Sequence, residues 1–284
     1  MSYKADIEYA ITVAKGAGEI VRGQYGKVER LTKTHQAASS EAVTVADRAS
    51  QAYIVRELRQ RFPSDGFIGE ENETGDDITF DCPNPDGRVW VIDPIDGTNN
   101  FVAGFDYFAV CIGLMDHGCP VGGVVYDVCR DRAYWAAKGE GAFADTHAIK
   151  CLATPLDEQS LVILTANFLD KNSQTPAYPC RWLGQAKWKV RCLGSAALDA
   201  AQVAAGVAHG AITVNGKLWD VAAPAAIVLE AGGQLTDLAG KAIFPFDMHN
   251  YAGAKVPFVA SAPMAHETLL KEIADPTPPD FLAK

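Results

Sequence analysis

The chain has 284 residues, 48% of them hydrophobic and 21% charged, with a formal net charge of −10. That length and composition fit one large globular domain or two halves sharing a core. The negative balance disfavours nucleic acid as a partner, because phosphate backbones are held by clustered Lys and Arg, and no apolar run is long enough to span a membrane.

The first residues, Met1-Ser2-Tyr3-Lys4-Ala5-Asp6, lack the charged and apolar blocks of a signal peptide. Ile7, Ala10, Ile11, Ala14, Ala17 and Val21 fall at helical spacing and predict a helix over 5–23. Residues 26–42 are polar and mixed and read as a hairpin or loop. Thr44-Val45-Ala46-Asp47 has the form of a capping box and opens a second helix. Ile54, Leu58 and Phe62 share a face of that helix, and Pro63 ends it. Phe67 starts a short strand that runs into Gly69-Glu70-Glu71, followed by an acidic link through Asp76, Asp77, Asp81 and Asp86.

Residues 90–101 organise the rest. Val89 to Ile92 reads as a buried strand, predicted to break at Asp93-Pro94 because proline supplies no ladder donor. Asp93 and Asp96 then stand three apart around Ile95, with Gly97-Thr98 immediately after. Carboxylates converging at a strand end repel one another unless a cation lies between them. Mg²⁺ suits such a corner, since it takes oxygen ligands, commonly carboxylates together with phosphate and water. Gly97 lets the backbone approach a ligand closely, and the amides after it suit an anion.

Downstream, Phe108, Val110, Ile112 and Leu114 alternate with Ala109, Cys111 and Gly113. Strands over 120–126 and 133–136 follow without intervening helices, which predicts an antiparallel meander. The second half reads as a strand over 161–165, an alanine-rich helix over 195–205 and a strand over 211–214. A helix over 220–231 with Asp220 as its N-cap comes next, then a strand over 258–260 and a closing helix over 264–273. A soft boundary falls near residue 150, and the proline-rich tail from Asp275 is expected to be extended. Seven cysteines, odd in number and without a CxxC pair, argue against a zinc cage or disulfide framework and for a reducing cytoplasm.

Several stretches together resemble the inositol monophosphatase family of Mg²⁺-dependent, lithium-sensitive phosphatases. They are Val43-Thr44-x-x-Asp47, Gly69-Glu70-Glu71, Asp93-Pro94-Ile95-Asp96-Gly97-Thr98-x-Asn100-Phe101, Gly194-Ser195-Ala196, Trp219-Asp220-x-Ala222-Ala223 and Glu230-Ala231-Gly232-Gly233. The resemblance implies a mixed α+β fold layered αβαβα. A large antiparallel sheet would lie in residues 1–150 and a smaller mixed sheet in 151–284, commonly in a homodimer. It implies two or three Mg²⁺ held by Glu70, Asp93, the Ile95 carbonyl, Asp96 and Asp220, and phosphate held by Gly97 and Thr98.

In that scheme an ion shared by Glu70 and Asp93 acidifies the attacking water. The Thr98 hydroxyl, accepted by Asp47, orients it, and no phosphoenzyme forms. Asp96, Gly194, Ser195, Ala196, Thr213 and Asp220 would surround the substrate, a small phosphorylated polyol. Relatives that prefer inositol phosphates carry glutamate seven positions before the Trp-Asp aspartate. Here Thr213 stands there, which weakens the case for inositol and keeps sugar bisphosphate or histidinol phosphate as alternative substrates. Pro224 departs from the small residues usual in the first turn of the Asp220 helix. A non-catalytic phosphosugar-binding regulator is disfavoured, since every expected carboxylate is present.

Overall fold

The computed structural model describes residues 2–26, 45–71, 79–165, 176–184 and 187–278. The expectations for 27–44 and for Asp76 and Asp77 lie outside the described residues.

Helices α1 (Lys4–Gln24) and α2 (Val45–Arg61) precede a sheet of eight strands among the described residues. These are β1 (Gly66–Gly69), β2 (Thr79–Asp81), β3 (Arg88–Asp96), β4 (Ala109–Asp116), β5 (Cys119–Asp127), β6 (Arg132–Ala137), β7 (Gly141–Ala144) and β8 (His147–Ile149), with the short helix α3 (Thr98–Ala103) between β3 and β4. Their order is β2-β1-β3-β4-β5-β6-β7-β8, and only the β1–β3 pair is parallel. The meander is therefore longer than the sequence suggested, because β7 and β8 are too short to show a period. Asp81, assigned to a loop, ends β2.

The second sheet holds β9 (Leu161–Leu164), β10 (Lys189–Arg191), β11 (Gly210–Thr213), β12 (Gln234–Thr236) and β13 (Phe258–Ser261) in the order β10-β9-β11-β13-β12. It is mixed, with β9 parallel to both neighbours and β13 antiparallel to both of its own. Helices α4 (Ala177–Gly184), α5 (Ala196–Ala204), α6 (Leu218–Glu230) and α7 (His266–Ala274) complete the chain.

Alternation along β4 separates the layers. Val110, Ile112 and Leu114 pack with Ile7, Val13, Ile54 and Leu58 of α1 and α2. Ala109 and Cys111, on the opposite face, join Leu198 and Ala201 of α5 and Val221 and Ile227 of α6. That same cluster includes Leu235, Phe258 and Ala260 of the second sheet. The far side of this sheet, through Val162, Leu164, Ile212 and Val259, is covered by Tyr178 and Trp182 of α4 and Leu269 of α7. The result is five layers, αβαβα, as the resemblance implied. The central α5–α6 layer is buried on two sides and rich in alanine, so larger side chains there would overpack it at about 1–3 kcal/mol each.

Helix α6 lies directly against the first sheet because the sheet offers glycines beneath it. A Cβ on Gly113 would fall 2.8 Å from Ala223 N, and one on Gly123 2.8 Å from Ala223 Cα. The helix begins earlier than the sequence indicated, with Lys217 as N-cap and Asp220 as the third residue rather than the cap. Asp220 Oδ2 accepts the Lys217 N–H at 2.6 Å, so its carboxylate reaches back over the first turn. The earlier start also moves Pro224 from the first turn into the helix interior, where its nitrogen cannot donate to the Asp220 carbonyl four residues back.

Candidate active site

The site is built where β1 and β3 end side by side. Their parallel register pairs Gly69 with Ile92, and Glu70 N donates to Ile92 O at 3.2 Å, so Glu70 is placed beside Asp93. Strand β3 does not stop at Pro94, as expected. It runs on to Asp96, with a register shift against β4 between Asp93 and Asp96. The irregularity absorbs the missing proline donor, and Asp93 Oδ1 accepts the Ile95 N–H at 3.0 Å within it. Gly97 then turns the chain at φ 92°, and an added Cβ would meet Tyr107 O at 3.1 Å and Gly194 O at 3.3 Å. Only glycine takes that position without strain.

The second half supplies the opposite wall. Asp96 Oδ2 accepts the Ser195 hydroxyl and the Ala197 N–H at 2.9 Å, while Oδ1 accepts the Ala196 N–H at 3.1 Å. Ser195 is also the N-cap of α5, accepting the Leu198 N–H at 3.3 Å. Asn100 Nδ2 donates to Tyr107 O at 2.8 Å and to Leu193 O at 2.7 Å, tying α3 to the segment that leads from β10 into Gly194. From α6, Asp220 completes a trio with Asp93 and Asp96 whose carboxylate oxygens lie within 4.8 Å of one another. Glu70, Ile95, Gly97, Thr98, Gly194, Ala196 and Thr213 line the same cleft, of about 120 Å³.

Asp93 and Asp96 are buried, and burial is the main reason that both carboxyls sit above their ordinary range. The negative charges of Glu70, Asp96, Asp220 and Asp47 push Asp93 up further, well above that range. Around Asp96 the Ser195 hydroxyl and the α5 amides pull the other way. A buried cluster of like charges is costly unless a cation neutralises it. The donors are all oxygen, which fits a hard divalent ion such as Mg²⁺.

Two expected details differ. Thr98 Oγ1 donates to Ile95 O at 2.9 Å and not to Asp47, because the register shift brings that carbonyl under the first turn of α3. Asp47 is buried in the first turn of α2 and acts on Asp93 through its charge, while the cleft lining excludes it. The sequence reading missed Asn100 as a clamp and did not name Thr165, Asn215 and Lys217, which also line the cleft. It missed the Ser195–Asp96 contact as well, although a serine just before an alanine-rich run is a cap signal. It also missed Asp199, buried on α5, whose Oδ1 accepts the Tyr107 hydroxyl at 3.0 Å.

The profile of the inositol monophosphatase family matches residues 3–276. Inositol monophosphatase 1 of Sus scrofa is 33% identical over 249 residues, 85% of this chain and 86% of its own. Fructose-1,6-bisphosphatase/inositol-1-monophosphatase of Thermotoga maritima is 30% identical over 94% of this chain and 95% of its own. Histidinol-phosphatase of Mycobacterium tuberculosis is 35% identical over 84% of this chain and 89% of its own. Among solved structures, extragenic suppressor protein suhB from Bartonella henselae superposes with a TM-score of 0.82 at 28% identity, covering 96% of this chain and 100% of its own. A carboxylate corner built from both halves, in a fold shared with the solved suhB structure, thus comes with sequence similarity along nearly the whole chain, which belongs to the inositol monophosphatase family and is a phosphoric monoester hydrolase.

Proposed function

We propose that the chain hydrolyses the phosphate ester of a small polyol, with two or three Mg²⁺ held by Glu70, Asp93, the Ile95 carbonyl, Asp96 and Asp220. The observation that carries this reading is the convergence of Asp93, Asp96 and Asp220 within 4.8 Å in a cleft that Glu70 also lines. When bound, the ions supply Lewis acidity toward the phosphoryl oxygens and the attacking water. The chain's own groups position and shield. Gly97 and Thr98 present their backbone amides to the phosphate, and the Thr98 hydroxyl, anchored on Ile95 O, keeps the first turn of α3 over the metal corner. Asp96 is held by the start of α5, so its carboxylate faces the cleft in a fixed orientation. In this reading the lining carboxylates are committed to the ions and the Thr98 hydroxyl to Ile95 O, which leaves water as the nucleophile.

Ala196 and Thr213 face the alcohol half of the substrate. With a hydroxyl at 213 in place of a carboxylate, sugar bisphosphates and histidinol phosphate stand as the second reading, in keeping with the names of the Thermotoga and Mycobacterium relatives. Lithium inhibition, a homodimeric state and a cytoplasmic setting belong to the same proposal. Among the described residues no helix is long and apolar enough to cross a membrane.

The test is a panel of inositol 1-phosphate, fructose 1,6-bisphosphate, histidinol phosphate and glycerol 2-phosphate, assayed with Mg²⁺ and with chelator. Activity is expected to vanish in chelator and to return with Mg²⁺; full activity in chelator would refute the metal reading. Millimolar Li⁺ is expected to inhibit, and light scattering reads the oligomer.

A further inference from the structure

Behind the cleft wall, a file of side chains leads from the protein interior to the substrate side. Tyr107 Oη donates to Asp199 Oδ1 at 3.0 Å, Thr165 Oγ1 donates to Asp199 Oδ2 at 3.1 Å, and Thr165 Oγ1 and Thr213 Oγ1 are 2.9 Å apart. Asp199 is fully buried and lies outside the cleft lining, whereas Thr165 and Thr213 are in it. The metal-holding scheme gives Asp199 no task. A buried carboxyl is costly to keep and is retained where its hydrogen bonds have a use.

We propose that Asp199 is a positioning residue for substrate recognition, acting through Thr165 to fix the direction in which the Thr213 hydroxyl faces the alcohol half of the substrate. The inference rests on the phosphatase reading above. It follows from proton counting, since each threonine hydroxyl has one proton to donate. With Asp199 ionised, Thr165 gives its proton to the carboxylate, so the bond between the threonines must use the proton of Thr213. Thr213 then presents only lone pairs to the cleft. It accepts from a substrate hydroxyl, and the charge at the far end of the file strengthens that acceptance. A neutral threonine thereby takes the accepting part for which inositol-preferring relatives use glutamate.

Asparagine at 199 reverses the file. The Tyr107 hydroxyl needs an acceptor, so the amide oxygen turns to Tyr107 and the amide nitrogen to Thr165. Thr165 then donates to Thr213, and Thr213 donates into the cleft, so the charge-assisted acceptance of the substrate hydroxyl's proton is lost.

The experiment measures kcat/KM for inositol 1-phosphate and for 4-nitrophenyl phosphate, which has no neighbouring hydroxyl, with Mg²⁺ and above pH 8. Burial raises the Asp199 carboxyl to about 8, so it is ionised there. Asp199→Asn is expected to lower the inositol 1-phosphate to 4-nitrophenyl phosphate ratio about tenfold, the size of one well-placed hydrogen bond. Thr165→Val is expected to lower the same ratio, and Thr165→Ser, which keeps the hydroxyl, to restore it. A structural role alone would lower both esters together and leave the ratio where it was. An unchanged ratio in Asp199→Asn overturns the inference; should that variant not fold, an unchanged ratio in Thr165→Val does so. A wild type without Mg²⁺-dependent activity on either ester overturns the phosphatase reading, and this inference with it.

Discussion

Asp96 accepts three hydrogen bonds from the start of α5. Asp96→Asn keeps the shape but loses a ligand charge, so Mg²⁺ affinity, read by calorimetry, and kcat are expected to fall together. Ser195→Ala removes one donor to Asp96 and the cap of α5, at a cost of about 1–2 kcal/mol in denaturant unfolding. Thr98→Ala frees the first turn of α3 from Ile95 O and is expected to lower kcat about a hundredfold, the range for a misplacement on the order of 1 Å, and to leave the Mg²⁺ isotherm nearly unchanged. Equal rates for Thr98→Ala and the wild type would show that this anchor does not position the phosphate. Residues of this kind divide into those legible in the sequence and those that are not. Asp93, Asp96 and Gly97 are legible because their chemistry is crowded into one short stretch. The Ser195–Asp96 bond spans 99 positions and the Asn100–Leu193 bond spans 93, and neither leaves a local pattern to read.

At the scale of elements, the corner depends on how closely α6 approaches the sheet. Gly113 and Gly123 admit the helix backbone at Ala223, and this approach holds Asp220 opposite Asp93. Gly123→Ala must push α6 outward, since the obstruction is backbone. The expected outcome is a loss of about 1–3 kcal/mol, as for other overpacked cores, with Mg²⁺ affinity reduced more than Mn²⁺ affinity because the wider corner suits the larger ion. Unchanged ion preference would mean that the helix tilts about its far end instead. Long periodic elements such as α1, α2 and β4 were readable from their spacing. The three-residue strands β2, β8, β10 and β12 were not, because pairing with neighbours defines them and their side chains carry no period. The true start of α6 escaped as well, since an aspartate before an apolar run signals a cap equally well from the third helical position.

For the whole molecule, the acidic corner links stability to pH and to metal. Burial raises the folded-state pKa of Asp93 and Asp96, and that of Asp199 to about 8, above an unfolded carboxyl near about 4. The folded chain therefore holds more protons than the unfolded one between those limits. Stability is greatest at the acid end of that window and is lost as pH rises through it. On the metal reading, Mg²⁺ would replace the protons of Asp93 and Asp96 and cancel their part of the loss. Thermal melts are expected to show Tm of the chelated protein falling between about pH 5 and pH 8. Added Mg²⁺ should then raise Tm more at the alkaline end, and equal increments at both ends would contradict this linkage.

The carboxylates of the corner come from β3 and from α6, on opposite sides of the central core, so no isolated half of the chain holds the trio. The long loop between them must close before the ion has anywhere to sit. In kinetic terms the expectation is that the corner closes after the rate-limiting step of folding, so that a bound Mg²⁺ would stabilise contacts absent from its transition state. It should leave the refolding arm of a chevron plot in place and depress the unfolding arm. Metal would then act in the cell less as an aid to folding than as a brake on opening, lengthening the life of a chain already assembled.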